Sequence, residues 1–84
     1  MIEPPATPAP AQVRAARALV DWSQSDLAEN ARVSLSTVRD FEAGRRQPMR
    51  QNIEAMQRAL EGVGVIFVAE NGEGPGVRLR KTPQ

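Results

Sequence analysis

Residues 22–44 read WSQSDLAENARVSLSTVRDFEAG. Ser23 is a natural N-cap, and Asp26 follows three residues later in a capping-box-like position. The spacing predicts a helix from there to near Ala31, with Leu27, Ala28 and Ala31 on its apolar face. Ser34 caps the next helix, which runs to about Ala43 with Val38 and Phe41 turned inward. Gly44 ends it, as a C-terminal glycine does. Only a tight turn separates the two helices, and the second carries small polar residues at its front. Such a unit is built to put a helix end into the major groove of DNA.

Upstream, the apolar spacing predicts a helix from Pro10 to Val20, with Val13, Ala16 and Val20 on one face and Leu19 beside it. Pro10 fits a first helical turn, where its missing N–H costs nothing. Residues 1–9 are rich in Pro and Ala and are expected to be unordered. Downstream, the loop GRRQP leads to a fourth helix over Arg50–Glu61, with Ile53, Met56 and Leu60 on its apolar face and Gly62 and Gly64 stopping it. Residues 65–69 are then a β-rich run, residues 71–76 a turn cluster, and residues 77–80 alternate apolar with basic. The fold class is therefore mainly α. Four helices over residues 10–61 are followed by a C-terminal β-hairpin over residues 62–81.

A lone hairpin is marginal in water, and its edges invite pairing. Two outcomes remain open. In one, a second copy covers the hairpin in a homodimer, and Val65, Phe67, Val77 and Leu79 form the dimer or partner surface. In the other, the hairpin packs on its own helices and the protein is a monomer. The dimer is the expectation adopted.

At 84 residues the chain is one small domain with a modest core. It has no Cys, which excludes a disulfide framework and a thiolate metal site and fits a reducing cytoplasm. It also has no His or Tyr, and no Asp/Glu pair is placed on one face. Neither an enzyme, nor a metal or cofactor, nor a small-molecule ligand is expected. No run of 18 apolar residues spans a membrane, and no signal peptide is recognisable, so a cytoplasmic location is expected. Net charge is only +1, but residues 32–50 set five Arg against two acids, a local +3. Arg78, Arg80 and Lys81 form a second basic cluster. Ten of the eleven cations are Arg, whose fork suits phosphates and base edges. Codon bias in a GC-rich genome is the alternative origin.

Gln24, Ala28, Val33, Val38, Phe41, Glu42 and Gly44, with Arg17 upstream, stand at the spacing of the Cro/phage-repressor (XRE-type) helix-turn-helix family. The chain resembles that family over residues 10–61. The hairpin lies outside the family's common core. The resemblance implies a repressor-like domain whose partner is double-stranded DNA. It places Gln24 and Thr37 near phosphates, Leu35, Ser36 and Asp40 near bases, and Arg45, Arg46 and Arg50 along the DNA backbone. It also implies a largely buried ion pair between Arg17 and Glu42, which are therefore structural rather than DNA-binding.

The residues supply reasons of their own. Ala28 is small where two helices cross, and Val33, Val38 and Phe41 fill the wedge between helices. Ser36 and Thr37 can donate or accept, Leu35 can pack on a thymine methyl, and Arg39 suits guanine or a phosphate. For each, an ordinary solvated helix residue is the alternative. Two positions depart from the pattern. Arg32 stands where the family usually has Gly in the turn, at a cost of about 1 kcal/mol if it is left-handed. Leu35 and Asp40 make a poor hydrogen-bonding set, so selectivity is low or leans on DNA shape.

The leading expectation is a sequence-specific DNA-binding regulator. As a repressor, it would bind a pseudo-palindromic operator through helix 34–43. The alternative is a protein-binding antagonist, an antiactivator or antitoxin, acting through its C-terminal strands by edge addition, alone or in addition to DNA binding.

Overall fold

The computed structural model describes residues 7–81. Along them run α1 (Pro10–Leu19), α2 (Gln24–Ala31), α3 (Leu35–Glu42), α4 (Arg50–Gly62), β1 (Val65–Val68) and β2 (Gly76–Leu79). The helices start where their capping residues dictate. Ser23 Oγ accepts the Asp26 N–H at 3.0 Å, and Asp26 Oδ2 accepts the Ser23 N–H at 2.9 Å. Ser34 Oγ accepts the Thr37 N–H at 3.0 Å.

The first three helices end alike. In each, a residue at positive φ reverses the chain, and two N–H groups bond back to the last turn. Asp21 (φ 57°) closes α1, Arg32 (φ 58°) α2 and Gly44 (φ 72°) α3. At α2 the Arg32 N–H donates to the Glu29 carbonyl at 3.3 Å and the Val33 N–H to the Ala28 carbonyl at 3.0 Å. Trp22 N–H to Arg17 and Arg45 N–H to Asp40 are the matching bonds at α1 and α3, both 3.0 Å. This is the Schellman arrangement, which normally selects Gly. Arg32 is thus left-handed without being Gly, and the turn stays short enough to hold α3 against α2.

The core is built from Val13 and Ala16 of α1, Leu27 and Ala28 of α2, Val38 and Phe41 of α3, and Ile53, Met56 and Leu60 of α4, all buried. Val20 and Val33 are partly buried against it, whereas Leu19 is exposed.

Two expectations change. The first concerns the N-terminal tail. Residues 1–6 lie outside the described residues, but residues 7–9 are placed, and Pro8 is buried. Gln12 explains this, because its Oε1 accepts the Ala9 N–H at 2.7 Å and draws the segment onto α1. The second concerns the hairpin, which packs on α1 and α4 of its own chain. Strand residues alternate faces, and the register pairs Val65 with Leu79 and Phe67 with Val77, so these four share one face. That face turns inward. Val65 is 1% exposed, Phe67 and Val77 are packed against the core, and only Leu79 stays exposed. Val65 is therefore closed to a partner, and Phe67 and Val77 leave only part of their surface free. Gln12 Nε2 also fastens the hairpin, donating to the carbonyls of Val68 (3.2 Å) and Gly76 (2.9 Å).

Candidate nucleic-acid interface

The front of α3 is organised by its cap. Ser34 Oγ lies 2.7 Å from Thr37 Oγ1 and 3.1 Å from Ser36 Oγ, so three hydroxyls form one cluster at the helix N-terminus. Ser36 is exposed and Thr37 is partly buried. Leu35 is half-buried, with part of its side chain packed against the core. Arg39 stands exposed on the outer face. One residue on, Asp40 lies 3.9 Å from Arg45 Nη1, an open pair that contributes little.

Gly44 then turns the chain so that the arginine loop comes back beside α3. Ser36, Thr37, Asp40, Arg46, Gln47, Pro48 and Asn52 line a shallow cleft of about 200 Å³. The structure thus gathers Ser36, Thr37, Asp40 and Arg46 in one place. Arg50 begins α4, where its Nε donates to Glu54 at 3.1 Å. Arg32, Arg39, Arg45, Arg46 and Arg50 are all exposed.

Behind this face lies the ion pair. Arg17 Nε and Nη2 donate to the two carboxylate oxygens of Glu42 at 2.7 and 2.8 Å, a bidentate fork. Arg17 Nη1 also donates to the Trp22 carbonyl at 3.0 Å. Glu42 is 3% exposed. The hydrogen bond to Glu42 raises the Arg17 pKa above its ordinary value, with burial opposing it. Because Arg17 neutralises Glu42, the exposed charge of the segment is more positive than the sequence sum. Among its acids only Asp40 faces outward.

Gln24 is held by this pair: its Nε2 donates to Glu42 Oε1 at 3.0 Å. Arg14 Nη1 donates to the Glu42 main-chain carbonyl, which ties α1 to the end of α3 a second time. Sequence reasoning missed Arg14, although it stands one turn before Arg17. It also missed Gln47 and Asn52, polar residues flanking the arginine loop. Among the described residues no three acidic side chains gather as a metal site, and no helix is long and apolar enough to cross a membrane.

No curated protein matches the sequence. A family model described as Helix-turn-helix matches residues 13–65, from the first core residue of α1 to the start of β1. That span takes in the buried ion pair, the capped α3 and the left-handed turn before it. The chain therefore belongs to the Cro/C1-type (XRE) helix-turn-helix family, which makes it a DNA-binding transcriptional regulator.

Proposed function

We propose that the protein is a sequence-specific repressor that occupies a pseudo-palindromic operator as a homodimer. The observation that carries this reading is the cleft at the front of α3, lined by Ser36, Thr37 and Arg46 together with Asp40. Hydroxyls and a cation on a projecting helix end suit a phosphate and the adjacent base edges. In this reading the exposed Arg39 reads guanine or holds a phosphate, while Arg45 and Arg50 follow the backbone.

One eight-residue α3 reaches only a few base pairs, too few to single out an operator, and two copies double the site. For the contact between copies, β1 is the better edge. It carries no charge, whereas Arg78 lies on β2 with Arg80 and Lys81 beyond it, and such charges protect an edge from pairing. An antagonist role would have to use mainly these edges and Leu79, because Val65 is buried and Phe67 and Val77 are packed against the core.

A gel shift of the purified chain against its own upstream DNA, at two salt concentrations, tests the proposal. Discrimination over random DNA should persist at the higher salt. Equal, salt-fragile binding to both would leave only backbone attraction and sink the claim of sequence-specific repression. Sedimentation on the same DNA should show two chains per site. Replacing Arg39 and Ser36 by Ala should abolish operator binding without unfolding, whereas an antagonist would keep its activity.

A further inference from the structure

The side-chain amide of Gln24 has two chemically opposite ends, and only one of them suits a phosphate. The NH2 end donates two hydrogen bonds, while the carbonyl end would turn lone pairs toward an anion. Nothing in a glutamine's own rotamers selects between them. Here the selection is made by Glu42. A carboxylate only accepts, so at 3.0 Å from Glu42 Oε1 the amide must present Nε2.

Glu42 is itself immobilised by the two-pronged bond from Arg17, at 2.7 and 2.8 Å. Arg17 also cancels its charge, so the carboxylate does not repel a phosphate nearby. Gln24 opens α2 and is partly exposed, and among the described residues its Nε2 donates to Glu42 alone.

From this geometry we infer that Glu42, which is too buried to touch DNA, is a positioning residue for DNA binding. It takes one amide hydrogen of Gln24 and thereby presents the other, already oriented, to a backbone phosphate. The inference rests on the DNA-binding reading above. It adds that the interior ion pair sets the DNA-facing donor as well as joining α1 to α3. Without Glu42 the amide would flip freely and would have to be ordered on binding, a loss of about three- to tenfold in affinity.

Two measurements test this on the full chain, using a duplex selected by the chain from a random-sequence pool. In ¹H–¹⁵N spectra of the free protein, one of the two Gln24 amide protons should lie well downfield of its position in an unstructured glutamine, moved there by the Glu42 carboxylate. Adding the duplex should shift the other proton and leave the first in place. Two Gln24 amide protons at the positions of an unstructured glutamine in the free protein, or a Glu42-facing proton that moves on binding, overturns the inference. The free-state spectrum judges the fixed amide even if no duplex is selected, an outcome that would count against the DNA reading itself.

The second measurement is a double-mutant cycle with Glu42→Gln and Gln24→Ala. Glu42→Gln should weaken binding about three- to tenfold when Gln24 is present, and less than about twofold when it is Ala. An equal loss in both backgrounds would mean that Glu42 acts only through the fold. If Glu42→Gln does not fold, the wild-type spectra still decide.

Discussion

Arg32 carries the clearest local conflict. Its backbone is left-handed (φ 58°, ψ 43°), where a side chain costs about 1 kcal/mol and glycine costs nothing sterically. Arg32→Gly should therefore stabilise the fold by about 1 kcal/mol, raising Tm by about 4–8 °C in a domain of this size. Thermal unfolding followed by circular dichroism checks it, and a lower Tm would mean that the Arg side chain contributes more than its strain costs. The same variant should weaken DNA binding if Arg32 touches the backbone. The strain at Arg32 was legible in the sequence, because the pattern places Gly there. The left-handed Asp21 was not, since Asp tolerates that region without a strong sequence mark. Nor was the Gln24 contact to Glu42, because a bond across 18 residues depends on how α2 and α3 pack.

At the scale of elements, helix positions followed from caps and spacing to within a residue or so, since Ser23, Ser34 and Pro10 act locally. The hairpin followed too, but its neighbours did not. Alternation shows that Val65 and Phe67 share a face, and it cannot show which apolar surface that face meets. The answer lies partly in Gln12, a polar residue in α1 that ordinary periodicity assigns to solvent. It is 8% exposed and bonds the Ala9 N–H and the carbonyls of Val68 and Gly76. Gln12→Ala should cost about 1–3 kcal/mol, because these partly buried groups lose their partner. Amide exchange should accelerate in residues 65–68 and 76–79 well before it does in α2. Uniform acceleration would show that the hairpin and the helices open as one unit.

For the whole molecule, charge distribution matters more than net charge. With Glu42 neutralised by Arg17, residues 32–50 expose five arginines against Asp40, one of them (Arg50) paired with Glu54, on a chain whose sum is +1. Removing Arg46, in the cleft beside Ser36, should weaken binding to all sequences alike. It should also reduce the slope of log affinity against log salt by about 1, as expected for one phosphate contact. A loss confined to the preferred sequence would mean that Arg46 reads a base instead.

The pH response should be flat. The chain has no His, and the raised pKa of Arg17 moves its titration further from neutrality. The stability from a raised basic group is fully present below its unfolded value and lost only as pH climbs through the folded one. That window is strongly alkaline, so DNA affinity measured from pH 6 to 8 should change by less than about twofold.

The three left-handed helix ends fix more than the turns they close. Each sets the direction in which the next helix departs, and α1, α2 and α3 are too short to absorb an error by bending. One residue inserted within α2 would advance every later side chain by about 100° around the helix, swinging Ala28 and Ala31 out of register and carrying α3 off its line. An insertion at residues 71–74, in the exposed hairpin tip, meets no such constraint. Length is therefore as strictly specified as chemistry in the first half of this chain. Natural or engineered additions should accumulate at the far end, where a longer loop leaves the aim of α3 unchanged.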